Sequence, residues 1–324
     1  MKESVLKLLR EEGRISGEEL GQRLNISRTA VWKQVNYLRK RGYRIDSSTR
    51  TGYSFIKGPD LLLPEEIIPG LGTEVLGNQI LYREEATSTQ NIAEEMARGG
   101  VEEGLVVIAE KQTAGRGRKG RGWVSPPRAG IYFSTLLRPN LRPQQLLQIP
   151  LIAGVAVSRA IKKTTPLQPK IKWPNDVLIE GKKVCGILAE MSSELDRVNH
   201  VIVGIGVNVN TPKTLFPGPM REVTSSLAEE CGEYVSRVRF LQALLTEFEA
   251  LYGQFQVSGF QAIRDEWKAL NNTIGSWVKV NDGKDEIRGK ALDIDKEGFL
   301  LVREEHGDVM RIVSGDVSLT NPDS

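Results

Sequence analysis

The sequence is poor in the two residue types that most often build metal and redox sites. It contains 2 cysteines and 2 histidines among 324 residues. Cys185 and Cys231 lie far from each other and from any Cys or His cluster, which argues against a zinc site and against a disulfide framework. We interpret both cysteines as ordinary thiols. His200 and His306 stand among polar residues typical of turns and are predicted to have no catalytic role.

The chain also lacks a long apolar run. No stretch of about 18 uninterrupted apolar residues is present that could span a bilayer. Acidic Glu3 and Glu11 interrupt the segment where a secretory signal needs an apolar core. These absences predict a cytoplasmic protein without a membrane partner. With 40% hydrophobic and 26% charged residues the composition is globular, and the length allows about two or three domains.

Acidic residues are scarce between residues 28 and 57, within a basic N-terminal segment. The first 60 residues carry 13 Lys or Arg against 7 Asp or Glu, although the net charge of the whole chain is only +3. Among residues 28–57, eight side chains are basic and Asp46 is the single acid. Because phosphate neutralisation supplies most non-specific affinity for nucleic acid, this imbalance indicates a nucleic-acid-binding segment.

Apolar periodicity in the same segment predicts a winged helix-turn-helix. Three short helices are indicated by apolar residues at helical spacing: Val5, Leu8 and Leu9; Leu20 and Leu24; Ala30, Val31, Val35 and Leu38. Ser27 is the predicted N-cap of the third helix, which leaves Trp32 towards the outside. The following YRIDSSTRTGYSF (43–55) predicts a basic hairpin, or wing. The residues expected to contact DNA are Arg28, Thr29, Lys33, Asn36, Arg39 and Arg50. The alternative is a helical packing module without a DNA partner.

Beyond this segment the pattern changes twice. Prolines in GPDLLLPEE (58–66) mark a linker, and the predicted domains are 1–60, 61–270 and 271–324. The middle domain alternates apolar strands with amphipathic or buried helices, which predicts a mixed α/β architecture. The last fifty residues contain short strands separated by DGK, EG and HGD turns, which is typical of a small closed or nearly closed β-barrel.

A basic, glycine-rich loop interrupts the middle domain. TAGRGRKGRGW (113–123) places four glycines and four basic residues in eleven positions, with no acid. Glycine allows positive φ and a close approach of the backbone to a ligand, and it is unfavourable inside a helix or strand. The sequence therefore predicts a loop that faces an anion.

Three polar segments interrupt otherwise apolar runs in the same domain: TSTQN (87–91), KWPND (172–176) and GIGVNVN (204–210). Each one alone is compatible with an ordinary helix cap, turn or strand glycine. Together with the basic loop they place polar side chains at the ends of neighbouring strands, where open α/β sheets build their ligand sites.

These residues carry a resemblance. GRGRKGRGW (115–123) preceded by Gln112, KWPND, Lys183 before GIL, and GIGVNVN resemble the motifs of biotin protein ligases. With the predicted N-terminal winged helix, the chain resembles the bacterial proteins that are both biotin ligases and biotin operon repressors. The resemblance implies a class II synthetase-like catalytic domain and a C-terminal SH3-like β-barrel.

The resemblance also implies an activity and partners. Such proteins use ATP with Mg²⁺ to form biotinyl-5'-AMP and then transfer biotin to a lysine of a biotin carboxyl carrier protein. The implied carriers are the carrier domains of acetyl-CoA carboxylase or pyruvate carboxylase. The implied repressor is a homodimer that binds operator DNA when biotin and ATP are both present.

Site residues follow from the matched motifs. The catalytic residues expected are Lys183, Arg118 and Asp176. Biotin contacts are expected from Ser88, Thr89, Gln90, Gln112, Gly115, Arg116, Gly117, Arg118 and Lys183. Contacts with ATP or the adenylate are expected from Arg118, Arg121, Trp123, Lys172, Asn175, Asn208 and Asn210.

No metal ligand set is assigned, and two positions depart from the family pattern. Gln90 stands where the family has Asn, and Phe216 is the sole aromatic residue of 211–224 that could stack on adenine. Two alternatives stay open: a ligand-sensing repressor without ligase turnover, and a lipoate-type acyl ligase.

Overall fold

The computed structural model describes residues 4–48, 51–140, 142–194, 197–281 and 286–320. The chain divides into two units, Met1–Asp60 and Leu61–Ser324. Arg50, one of the expected DNA contacts, lies outside the described residues.

The described part of the first unit is a winged helix-turn-helix, as predicted. Serine side chains begin all three helices: Ser4, Ser16 and Ser27 accept hydrogen bonds from backbone N–H groups three residues later, at 3.2, 3.0 and 3.1 Å. The sheet has the order β1-β3-β2 and is antiparallel. The elements are α1 (Val5–Glu12), β1 (Arg14–Ile15), α2 (Gly17–Leu24), α3 (Arg28–Lys40), β2 (Arg44–Ser48) and β3 (Gly52–Lys57).

Buried apolar residues of α3 confirm the predicted inward face. Val31, Val35 and Leu38 pack with residues of α1 and of the sheet in one core. Gly52 begins β3 at φ +80°, where a Cβ atom would lie 2.3 Å from the Ile15 carbonyl oxygen. The wing can therefore pair with β1 only because this position lacks a side chain.

The described residues of the second unit form a seven-stranded mixed sheet. Its order is β4-β5-β6-β10-β9-β8-β7, in which β4 and β5 are parallel and the other pairs antiparallel. The edge strand β4 was not among the strands expected from sequence. The strands are β4 (Gln79–Ala86), β5 (Leu105–Gln112), β6 (Ile131–Leu137), β7 (Lys170–Lys172), β8 (Asp176–Ile179), β9 (Lys182–Glu194) and β10 (Arg197–Val207).

A largely buried helix, Gln148–Thr164, lies in the main core, as predicted for 146–163. Ile149, Ile152 and Val155 of this helix are fully buried in the cluster that also contains the sheet residues. No helix of the described chain is long and apolar enough to span a membrane. The helices are α4 (Pro64–Ile67), α5 (Thr89–Arg98), α6 (Gln148–Thr164), α7 (Leu227–Cys231), α8 (Arg237–Ser258) and α9 (Gln261–Leu270).

The C-terminal residues form a small antiparallel sheet of order β14-β13-β12-β11-β15. Its apolar face joins the main core through Val280, Ile294 and Leu300. The Trp173 indole N–H donates to the Gly298 carbonyl at 3.0 Å, which ties this sheet to the strand ends of the larger one. The strands are β11 (Trp277–Asn281), β12 (Glu286–Ile294), β13 (Leu300–Glu304), β14 (Val309–Ile312) and β15 (Asp316–Thr320).

His200 belongs to the large sheet. This residue lies within β10 rather than in a turn, and it is buried. Its Nε2 atom is 2.8 Å from the Glu94 carboxylate of α5.

Candidate active site

A cavity of about 720 Å³ opens at the strand ends of the large sheet and beneath the basic loop 113–123. It brings together most of the site residues expected from sequence. Among the described residues, Gly115 and Asn210 are the two expected ligands that do not line it. The expected residues that do line it are Ser88, Thr89, Gln90, Gln112, Arg116, Gly117, Arg118, Arg121, Trp123, Lys172, Asn175, Asp176, Lys183 and Asn208.

A hydrogen-bonded group of hydroxyl and amide side chains forms one wall. The Thr89 backbone N–H donates to Gln112 Oε1 at 2.8 Å. Thr89 Oγ1 and Ser134 Oγ lie 2.8 Å apart, and the Ser134 hydroxyl donates to Gln90 Oε1 at 2.9 Å. Since buried hydroxyl and amide groups are costly without partners, this network holds the wall in one arrangement.

Ser134 is a cavity residue that sequence reasoning missed. It is fully buried on β6 and lines the cavity beside Thr89. The available signal was a hydroxyl pair, Ser134-Thr135, inside the apolar run IYFSTLL. A polar residue inside a buried strand needs a partner, and here the partners come from α5.

Glycines form the floor of the cavity and accommodate a tryptophan. Gly186 of β9 pairs with Gly206 of β10. A Cβ atom at Gly206 would lie 2.5 Å from the Trp123 indole, and one at Gly186 would lie 2.8 Å from it. Within the described structure the buried Trp123 Nε1 has no hydrogen-bond partner. The indole ring thus lines the cavity, while its N–H is buried against the strand glycines without a partner among the described residues.

The basic loop is folded by its own backbone. The Gly117 N–H donates to the Arg121 carbonyl at 2.7 Å, and the Trp123 N–H donates to the Gly115 carbonyl at 2.8 Å. Lys119 has a φ of +53°, a value that non-glycine residues rarely adopt. Gly115 closes the base of this turn, so it positions the loop through its backbone rather than lining the cavity.

Charged residues of the loop contact the C-terminal sheet. Arg121 Nη2 donates to Asp316 Oδ2 at 2.7 Å, and Lys119 Nζ lies 3.6 Å from the same carboxylate. Arg118 Nη1 donates to Asn175 Oδ1 at 3.1 Å. Burial lowers the pKa of the Arg118 guanidinium, an effect that nearby Asp316 opposes. Asp316 lines the cavity and was not expected from sequence.

Lys183 lies at the centre of the charged region. Its Nζ atom is 2.6 Å from Asp176 Oδ1 and 5.4 Å from the centroid of the Trp123 ring. The Lys183 backbone is bound on both sides, donating to the Val223 carbonyl at 2.8 Å and accepting from the Ser225 N–H at 3.0 Å. Burial also lowers the pKa of the nearby Lys172. The Lys183 ammonium is thus held by the Asp176 charge and by the backbone hydrogen bonds of Lys183 itself.

The two asparagines of GIGVNVN differ in position. Asn208 lines the cavity and its Nδ2 donates to the Ser225 carbonyl at 3.1 Å, while Oδ1 has no partner in the described structure. Asn210 instead exchanges hydrogen bonds with the Val235 backbone at 2.8 and 3.0 Å. Phe216 lines the cavity but is almost fully buried. The assignment of Asn210 to the nucleotide stays a prediction, and the residue that stacks on adenine stays unassigned.

Five of the six expected DNA contacts lie on α3 of the first unit, and the sixth, Arg50, lies outside the described residues. Arg28, Thr29 and Lys33 are exposed, and Asn36 is half-buried. The Arg39 guanidinium donates twice to the Ile45 carbonyl, at 3.0 and 2.7 Å. Arg39 therefore ties α3 to the wing strand, a role that sequence reasoning did not expect.

Three family models match consecutive parts of the chain. An HTH domain matches residues 2–54, the Biotin/lipoate A/B protein ligase family matches residues 81–208, and a Biotin protein ligase C terminal domain matches residues 273–320. These ranges contain α1–α3 and most of the wing, the cavity-forming strands, and the small C-terminal sheet.

Relatives and solved structures agree with the models. The chain is 40% identical to the Bifunctional ligase/repressor BirA of Bacillus subtilis over 98% of both chains. It is 30% identical to that of Escherichia coli over 94% of this chain and 92% of the relative. The solved structure of a biotin protein ligase from Aquifex aeolicus in complex with biotin and ATP superposes with a TM-score of 0.65, at 33% identity, covering 75% of this chain and 99% of that one. The chain therefore belongs to the biotin/lipoate protein ligase family and, within it, to the bifunctional ligase/repressors.

Proposed function

We propose that the chain is an ATP-dependent biotin protein ligase and a biotin-responsive transcriptional repressor. The observation that carries the ligase part is the composition of the cavity. Of the described residues, five cationic side chains line it against two acids, together with the hydroxyl and amide wall. The cations are Arg116, Arg118, Arg121, Lys172 and Lys183. A cavity of this kind suits a polyphosphate beside a neutral polar group.

The first step joins two anions. A biotin carboxylate oxygen attacks the α-phosphorus of ATP, the bond to the β-phosphate oxygen breaks, and pyrophosphate leaves. Fixed cations reduce the repulsion between the reactants and stabilise the charge that develops on the phosphoryl oxygens. Lys183, held beside Asp176, is the proposed catalytic cation, and Arg118 is the proposed second one.

The second step transfers the acyl group. The amine of the carrier lysine attacks the acyl carbon of biotinyl-5'-AMP, AMP leaves, and the amine loses a proton. The proposed acceptors are carrier domains of acetyl-CoA carboxylase or pyruvate carboxylase. The mixed anhydride hydrolyses in water, so a loop that covers the cavity protects it.

The polar wall is the proposed biotin subsite. Ser88, Thr89 and Gln112 carry hydroxyl and amide groups that suit the ureido ring of biotin. Gln90 is engaged with Ser134 and with the Ile202 carbonyl. Gln90, whose side chain is longer than the Asn of the family, therefore supports the polar wall through these two hydrogen bonds.

Magnesium is proposed to arrive with ATP. No group of three or more His, Cys, Asp or Glu side chains that could hold a metal occurs among the described residues. Asp176 lines the cavity, and its carboxylate fits an ion that keeps several of its waters and phosphate ligands. Bound Mg²⁺ would neutralise part of the phosphate charge.

The repressor part rests on the basic first unit. Exposed Arg28, Thr29 and Lys33 lie at the N-terminal end of α3, the helix that reads the major groove in this fold. We propose that the operator is bound by a homodimer that forms when biotin and ATP are both present. The cytoplasmic location stays a prediction.

Transfer to a carrier tests the ligase part directly. The full chain is incubated with ATP, an unmodified carrier domain, and either biotin or lipoate, and the carrier is analysed by intact-mass spectrometry. We expect modification with biotin alone. Binding of biotin without modification of either carrier would favour the ligand-sensing repressor, and modification by lipoate would favour the lipoate-type ligase.

Separation of the two activities tests the repressor part. Changing Arg28 and Lys33 to Ala removes two exposed positive charges from α3, so we expect weaker operator binding and a smaller salt dependence with unchanged biotin transfer. Operator affinity of the unchanged chain is measured against protein concentration with and without biotin and ATP. The same concentration dependence in both conditions would refute ligand-linked dimerisation.

A further inference from the structure

A large apolar side chain is exposed on the basic helix of the first unit. The Trp32 residue of α3 is 54% exposed. It lies one turn after Arg28 and one turn before Asn36, so the three side chains form one ridge along the helix. The neighbouring ridge carries Thr29 and Lys33, which are also exposed. Trp32 thus lies in the middle of the residues expected to face DNA.

Charge identifies the occupant of this face. The helix contains four basic residues, Arg28, Lys33, Arg39 and Lys40, and no acid. A polyanion complements this surface, whereas a second copy of the same helix would bring like charges together. An α-helix fits the major groove of duplex DNA, so the partner of Trp32 is a group on the floor of that groove.

We propose that Trp32 is a specificity-determining residue that packs on the C5-methyl group of a thymine in the operator. This inference rests on the DNA-binding part of the proposed function. Contacts with phosphates position a helix in the groove but do not read sequence, so specificity requires side chains that reach the base edges. Of the groups that base pairs display in the major groove, the thymine methyl is the apolar one, and an apolar ring gains by covering it.

The test removes that methyl group alone. Duplexes are first selected from a random pool by the full chain with biotin and ATP. Each thymine of a selected duplex is then replaced by deoxyuridine, which deletes one methyl and keeps every hydrogen-bonding group. Burial of one methyl corresponds to about a four-fold change in affinity. We expect this loss at one or two positions for the unchanged chain and no loss at those positions for Trp32→Ala.

Two further variants separate an apolar contact from a general effect. Trp32→Ala should weaken binding to the parent duplex about ten-fold without changing the salt dependence, because no phosphate contact is lost. Lys33→Ala should reduce the slope of log affinity against log salt by about 0.9 and keep the thymine effect. Tyr37→Ala removes an equally exposed aromatic residue, 57% exposed, from another face of α3 and should also keep it.

Each outcome decides the proposal. A chain that tolerates deoxyuridine at every position, or a Trp32→Ala variant that keeps the full thymine effect, overturns it. A change in oligomeric state of Trp32→Ala in sedimentation would identify a second copy as the occupant and overturn it as well. If no duplex is selected, the DNA-binding part of the proposed function fails. Trp32→Gln serves as a second substitution at this position. Unchanged biotin transfer by the variants shows that they are folded.

Discussion

Removal of the Lys183 ammonium should abolish most of the adenylation activity. In Lys183→Ala one of the five cavity cations is lost, and the Asp176 carboxylate, 2.6 Å from the ammonium, remains beside the phosphate site without its partner. Loss of one preorganised electrostatic group costs about 3 kcal/mol in the transition state, or about 10²–10³ in rate. Lys183→Arg should recover part of the activity, since a cation returns at a different distance.

The assay is biotin-dependent exchange of labelled pyrophosphate into ATP. It reports the first step without a carrier. Lys182→Ala is the matched control, because Lys182 precedes Lys183 on the same strand and pairs at 3.0 Å with Glu230. Exchange by Lys183→Ala within a few-fold of the unchanged chain would refute the catalytic assignment. An equal loss in Lys182→Ala would show that the strand, and not the ammonium, was disturbed.

Three other changes test the site and its support. Gly206→Ala places a Cβ atom 2.5 Å from the Trp123 indole, so biotin affinity measured by calorimetry should fall about ten-fold or more. Gly218→Ala, where a Cβ atom has no neighbour within 4 Å, should not change the affinity. Arg237→Met leaves the fully buried Glu110 carboxylate, 2.6 Å from the guanidinium, without its charge partner. Denaturant unfolding should show a loss of about 3–5 kcal/mol that shrinks when Glu110→Gln is added, and an equal loss in the double variant would contradict this account. Burial lowers the pKa of Lys172, so its ammonium is lost at a lower pH than in an exposed lysine. ATP affinity should therefore fall as the pH rises through that pKa, and persistence of the same fall in Lys172→Met would refute the assignment.

Local sequence determined the elements and the chemistry of the loop. The serine caps and the apolar spacing of α1–α3 act within about one turn, so the winged helix could be predicted from neighbouring residues. The glycines and cations of 113–123 likewise predict an anion-binding loop, since glycine conformation and charge are properties of each residue. The edge strand β4 was missed because it is half-exposed, so its side chains do not alternate clearly between apolar and polar.

Tertiary structure alone decided which groups meet. Arg121 and Asp316 are 195 positions apart, and nothing in either local pattern indicates their contact. No local pattern indicates that Ser134 lies beside Thr89. Nor does one indicate that Gly206 makes room for the Trp123 indole of the loop. Burial, and hence the lowered pKa of Lys172, also follows from packing. Side-chain partners and desolvation depend on distances between elements, whereas helix caps, periodicity and charge composition are encoded within a few residues of chain.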